Sequence, residues 1–289
     1  MENLRGAALM TVAMLGFAAE DMFIKLSTER LPTWEIILVL GCGASAIFAL
    51  LTKAAGRPLW SRAVFSLPVL LRNGGELVGT FGMVTALALA PLGVASAILQ
   101  ANPLLVTLGA AVFLNEPVGW RRWSAILVGF CGVMLVIQPG GAGFEPPALF
   151  AVGAVLGLGV RDLATRLVPR ETSSSQLSFL AFVVLIPASL ILSFVTDQPF
   201  VVPTVLDWLR LAGVIGLGAA SYYAIVAAMR VGEVSFVTPF RYTRILFALG
   251  FAFVVFDEHP NRLMLIGTAV IVASGIYTLW RERKHRPAT

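Results

Sequence analysis

The stretch GEVSFVTPFRYTRILFALGFAFVVF, residues 232–256, decides the class of this chain. It is long and apolar enough to cross a bilayer, which takes roughly 20 residues. Yet Arg241 and Arg244 lie three residues apart inside it, after Pro239. An arginine at the bilayer centre costs at least ~2.5–3.5 kcal/mol. Two of them need a polar interior to face.

The rest of the chain has the same character. Of 289 residues, 58% are hydrophobic and 13% charged, and the mean hydropathy is +0.87. Soluble domains average about 25% charged residues, so the composition is that of a membrane protein. The net charge of +5 does not point to nucleic acid, because the basic residues are scattered between apolar runs and form no stripe. Cys42 and Cys131 both fall in apolar runs, which suits packed, reduced thiols and gives no disulfide framework. His259 and His285 lie in a loop and a tail, and offer no metal cluster. No cofactor is expected. The apolar residues 6–19 run into Glu20-Asp21 without a small-residue cleavage site, which reads as a first span and not a removed signal.

Cutting at charge, Pro and Gly clusters gives ten spans: 5–26, 33–53, 67–90, 93–114, 121–138, 147–166, 175–195, 207–230, 233–256 and 261–281. With the N-terminus placed in the cytoplasm, thirteen Lys and Arg fall on that side, and Lys25, Arg30 and Arg262 on the other. The positive-inside rule then puts both termini in the cytoplasm. Trp34, Trp120, Trp123, Trp208 and Trp280 fall near span ends, as an aromatic belt would.

An internal repeat supports this division. Glu116 and Glu258, Ala110 and Ala252, and Val112 and Val254 are each 142 residues apart. "EDMFIKL" (20–26) lies over "RDLATRL" (161–167) at an offset of 141, so Asp21 matches Asp162 and Lys25 matches Arg166. Five helices per repeat is an odd number, so the second copy enters the membrane inverted. The expected fold is an all-α polytopic membrane protein of ten transmembrane helices in two inverted five-helix repeats, 1–140 and 147–283, followed by a basic tail, 284–289. Such repeats are characteristic of secondary transporters that bind cargo near the midplane between the halves.

Two segments carry a family likeness: "FLNEPVGWRRWSAILVGFCGVMLV" (113–136) and "FDEHPNRLMLIGTAVIVASGIYTL" (256–279). Each is the end of an apolar helix, closed by Glu-Pro or Glu-x-Pro and followed by a Gly-bearing helix. In this the chain resembles EamA-type members of the drug/metabolite transporter superfamily. The resemblance implies ten helices, a central cavity between inverted halves, alternating access, and a small solute moved in either direction. The "PFRYTR" run is also similar to a subset that includes carriers of S-adenosylmethionine-like and riboflavin-like metabolites.

Eight ionisable residues fall well inside the spans: Glu20, Asp21, Arg72, Glu76, Arg161, Asp162, Arg241 and Arg244. At 1.5 Å per residue, Glu76 lies about 13 Å in from its helix end, and Arg241 and Arg244 about 12–16 Å. Asp21 with Lys25 and Asp162 with Arg166 read as local i,i+4 ion pairs. Arg72 is expected to snorkel to the headgroups. Glu116 and Glu258 are expected to serve backbone groups at their turns. Arg241 and Arg244 have no acid at i±3 or i±4; Glu233 and Asp257, the nearest, lie at the helix ends. The matching positions in the first repeat are Leu99 and Asn102. The arginines therefore either touch substrate or form interhelical pairs, with Glu76 as the expected partner.

The expected function is secondary active transport of a small polar or zwitterionic metabolite across the inner membrane. Substrate contacts are assigned to Arg241, Arg244, Tyr222, Asn102 and Gln100, and coupling or gating to Glu76, Glu20 and Arg161. A lipid-linked-carrier translocase using the arginines on a phosphate is the alternative. No nucleophile–base set supports an enzyme. The partners expected are the metabolite and membrane lipid, not nucleic acid, with the chain a monomer or homodimer.

Overall fold

The computed structural model describes residues 2–60, 62–116, 119–141, 143–169, 172–231 and 234–285. Arg170, Glu233 and the tail from 286 onward lie outside the described residues. All regular structure there is helical: α1 (Glu2–Thr28), α2 (Thr33–Ala54), α3 (Leu67–Leu89), α4 (Leu92–Leu99), α5 (Asn102–Phe113), α6 (Trp120–Ile137), α7 (Ala148–Arg166), α8 (Ser174–Thr196), α9 (Val205–Val231), α10 (Val234–Val237), α11 (Thr243–Phe256) and α12 (Arg262–His285).

These make ten helical units. Two of them are broken, at matching places. The fourth unit parts at Gln100-Ala101 into α4 and α5, and the ninth narrows to a 3-10 segment, Thr238–Tyr242, between α10 and α11. Pro103 and Pro239 explain the breaks, because each lacks the N–H that an α-helix interior needs. Nine stretches among the described residues are apolar enough to span a membrane. The exception is α3, long enough at 23 residues but carrying Arg72, Asn73 and Glu76.

The helices pack in pairs across the two halves: α1 on α9, α3 on α7, α2 on α8, and α6 on α12. Small residues permit the approach, since apolar burial cannot drive helices together within lipid. A Cβ at Gly75 would stand 2.6 Å from the carbonyl oxygen of Gly157, and one at Gly267 would stand 2.6 Å from that of Gly132. Gly74 and Gly216 take no part in such an approach and face open space.

Three other expectations change. Trp120, Trp208 and Trp280 are exposed, but Trp34 is buried with its ring beside Phe200. Cys42 and Cys131 are free thiols on exposed helix faces, not packed ones. Arg72 does not snorkel. It is buried and donates from Nη1 to the carbonyl of Leu177 on α8, 3.0 Å away.

Candidate functional site

A cavity of about 450 Å³ lies between the halves, walled by α1, α2, α3, α7, α8, α9 and the broken fourth and ninth units. All eight residues singled out in the sequence line it: Glu20, Glu76, Gln100, Asn102, Arg161, Tyr222, Arg241 and Arg244. The breaks place polar backbone and side chains here. Irregular backbone at membrane depth is tolerated only inside protein or beside a wet cavity.

Apart from the adjacent Arg161 and Asp162 on α7, the charges pair between helices. Arg244 donates to Asp21 Oδ2 from Nη2 at 2.6 Å and from Nε at 3.2 Å, and its guanidinium stands 5.3 Å from the centre of the Phe17 ring. Arg161 donates to Asp162 Oδ1 from Nε at 2.8 Å and to Glu76 Oε1 from Nη1 at 3.3 Å. Glu76 is thus the partner of Arg161, and not of Arg241 or Arg244. Asn102 donates to Asp162 Oδ2 at 2.9 Å, and Gln100 to the carbonyl of Tyr242 at 3.2 Å.

These contacts are reciprocal. Asp21–Arg244 and Asp162–Asn102 are the same contact made twice, by positions 141 and 142 residues apart. The same holds at the two ends of the bundle. Lys25 reaches Glu258 Oε1 at 3.6 Å, and Arg166 reaches Glu116 Oε1 at 2.8 Å. The local pairs Asp21–Lys25 and Asp162–Arg166 do not form. Each basic residue turns to a glutamate of the other half instead. As expected, Glu258 also serves the backbone, accepting from the N–H groups of Leu92 at 2.8 Å and Gly93 at 3.0 Å. Those donors, at the start of α4, have no acceptor within their own helix. Gln100 bonds to the residue 142 positions on, its own counterpart in the second repeat.

Two charged residues on the cavity wall stand apart. Among the described residues, Arg241 and Glu20 make neither an ion pair nor a side-chain hydrogen bond. The Arg241 side chain is exposed to the cavity. Tyr222 meets Phe48 edge-on at 5.2 Å, and Phe48 stacks on Phe182 at 5.8 Å, so three rings from α2, α8 and α9 form one wall. Tyr223 is 75% exposed and points away from the interior.

A bundle with this polar centre, divided into two similar halves, can be set against known proteins. The model of the EamA-like transporter family matches residues 4–138 and 146–280. The chain belongs to the EamA-like transporter family. It is therefore an integral membrane transporter of the drug/metabolite transporter superfamily, and not an enzyme. This EamA protein is 29% identical over 287 residues to a riboflavin transporter of Vibrio cholerae, covering 98% of this chain and 96% of the relative. It is 27% identical to an S-adenosylmethionine uptake transporter of Rickettsia bellii, covering 96% and 94%. It is 26% identical to a pseudopaline exporter of Pseudomonas aeruginosa, covering 96% and 97%. A solved crystal structure superposes with a TM-score of 0.59 at 21% identity, covering 95% of this chain and 99% of that one, which speaks to the fold alone.

Sequence reasoning missed the roles of Asp21 and Asp162. The signal was available: Asp21 matches Asp162, and their actual partners, Arg244 and Asn102, also match each other. It missed Phe48 and Phe182 as well, which nothing in the sequence separates from ordinary core.

Proposed function

We propose that this EamA transporter is a secondary active carrier of a small polar or zwitterionic metabolite, working by alternating access in the cytoplasmic membrane. In this reading the halves are inverted about an axis in the membrane plane, and both termini are cytoplasmic. The observation that carries the reading is Arg241, a guanidinium on the wall of a cavity of about 450 Å³ that makes no ion pair within 4 Å among the described residues. That volume falls within the range of about 300–1,000 Å³ usual for small-molecule sites. Arg suits a carboxylate, which it can grip with two parallel hydrogen bonds. The three-ring wall, with Tyr222 edge-on to Phe48, gives an aromatic surface for the rest of the cargo.

Arg244, Glu76, Arg161, Asn102 and Gln100 shape the site by their pairing and come to the cargo only if those bonds exchange. The two end pairs support alternation. The Lys25 and Glu258 side chains are each 17% exposed, whereas Arg166 and Glu116 are each 46% exposed, so one end is more tightly closed than the other. The relatives are named for both uptake and export, so the shared fold serves movement in either direction.

The test is counterflow in proteoliposomes holding candidate metabolites, riboflavin and S-adenosylmethionine among them. A carrier gives saturable exchange that excess unlabelled cargo suppresses. Uptake that never saturates overturns the carrier reading, and wild-type exchange by Arg241→Ala overturns the role of Arg241.

A further inference from the structure

The repeat relation exposes a place where the two halves differ. Arg161 on α7 pairs with Glu76 on α3. Their counterparts, 141 residues before and 142 after, are Glu20 on α1 and Gly218 on α9. These also meet: a Cβ built on Gly218 would stand 2.8 Å from Glu20 Oε1 and 3.0 Å from Cδ. The α3–α7 crossing therefore holds a cation answered by a carboxylate, and the α1–α9 crossing a carboxylate seated on bare backbone. No side chain of α9 can neutralise Glu20 at that position. A charge at membrane depth without a partner is costly, and such residues mark pathways for cargo.

We infer that Glu20, seated on Gly218, is the subsite for the cationic group of a dipolar cargo whose anionic group meets Arg241. This rests on the carrier reading above. Three further observations support it. Asp21, Glu76 and Asp162 are already held by Arg244 and Arg161, and Arg72 donates to the Leu177 carbonyl, which leaves Glu20 and Arg241 as the charged side chains of the wall without a hydrogen-bonded partner among the described residues. The cavity wall carries four acidic and four basic side chains, so a dipolar cargo of zero net charge keeps the balance. Tyr222 stands one helical turn beyond Gly218 on α9, on the same face, and also lines the cavity. An aromatic face beside a carboxylate favours an organic cation over a proton or a hydrated metal ion.

The test uses the purified full chain and choline as probe, followed by thermal unfolding, since a ligand of the native state raises the midpoint. The control ligand is 3,3-dimethyl-1-butanol, which keeps choline's shape without its charge. Choline should raise the midpoint of the wild type and of Tyr223→Ala, and the alcohol should not. Glu20→Gln should raise the half-saturating choline concentration by about tenfold, the usual scale of one lost charged contact. Gly218→Ala keeps every charge but pushes the carboxylate aside, and should weaken choline in the same direction. It serves as the second reading if Glu20→Gln does not fold. The inference is overturned if the wild type responds to choline and the alcohol alike, or to neither. It is equally overturned if Glu20→Gln binds choline as the wild type does. Failure of the carrier reading would look different: counterflow would be absent while choline still bound through Glu20.

Discussion

Arg244 and Asn102 hold matching positions in the two halves, and each donates to the aspartate of the other half's first helix, Asp21 at 2.6 Å and Asp162 at 2.9 Å. The contact is therefore architectural in both halves, made with charge in one and without it in the other. That separates Arg244 from Arg241, three residues away on the same face, whose counterpart is the apolar Leu99.

The first prediction concerns the pair itself. Asp21 is 3% exposed and Arg244 19%, so removing one partner strands a buried charge. Asp21→Ala should destabilise by about 3–5 kcal/mol. The double variant Asp21→Asn with Arg244→Gln should recover a good part of that loss. Thermal unfolding in detergent, run as a double-mutant cycle, measures the coupling; additive effects would mean that the pair does not hold the helices.

Arg241 should behave in the opposite way. With no ion pair among the described residues to lose and its side chain exposed to the cavity, Arg241→Gln should leave the unfolding midpoint nearly unchanged. Transport should suffer instead, with KM for an anionic or dipolar cargo rising about tenfold, or ~1.4 kcal/mol. A variant that unfolds early and transports normally would reverse these assignments.

The close crossing of α3 and α7 gives a third expectation. A Cβ at Gly75 would stand 2.6 Å from the Gly157 carbonyl oxygen and 2.7 Å from the Arg161 backbone nitrogen. Backbone on both sides cannot yield as a side chain can. Gly75→Ala should therefore cost about 1–3 kcal/mol. Gly74→Ala, one residue away and facing open space, should cost little or improve the helix. The comparison of unfolding midpoints isolates crowding from helix propensity.

These contrasts mark what the sequence could disclose. Apolar length placed the ten helical units to within a few residues, because a helix in lipid satisfies its own backbone and its ends are set by charge and Pro. The repeat spacing located the reciprocal positions, and all eight candidate residues do line one cavity. Partner choice was not legible. Asp21 and Lys25 are adjacent on one helix face, yet Lys25 reaches Glu258 and the carbonyls of Leu87 and Ala90, while Asp21 takes Arg244. Local spacing offers a contact worth about 0.2–0.5 kcal/mol. A buried group between helices must be satisfied wherever the packing puts it, and the cost of leaving it stranded outweighs the local contact. Arg72 follows the same logic: burial against α8 gives it a carbonyl to bond, so it has no need to reach the headgroups.

The last prediction separates the two ends of the bundle. Glu258 receives Lys25 and also two backbone N–H groups at the start of α4, with its side chain 17% exposed. Glu258→Ala leaves those donors without their acceptor in a half-closed site, and should cost about 1–3 kcal/mol. Glu116 pairs with Arg166 where both side chains are 46% exposed. Water can replace that contact, so Glu116→Ala should cost no more than about 1 kcal/mol. The same asymmetry bears on transport. Loosening the Lys25–Glu258 end removes contacts that hold that end shut, so Glu258→Gln should increase labelling of a cysteine placed at Ile24, which is buried on the cavity wall near that end. Glu116→Gln should leave labelling at Ile24 unchanged. If both variants alter it equally, the two ends are not separate gates, and the difference in exposure carries no functional meaning.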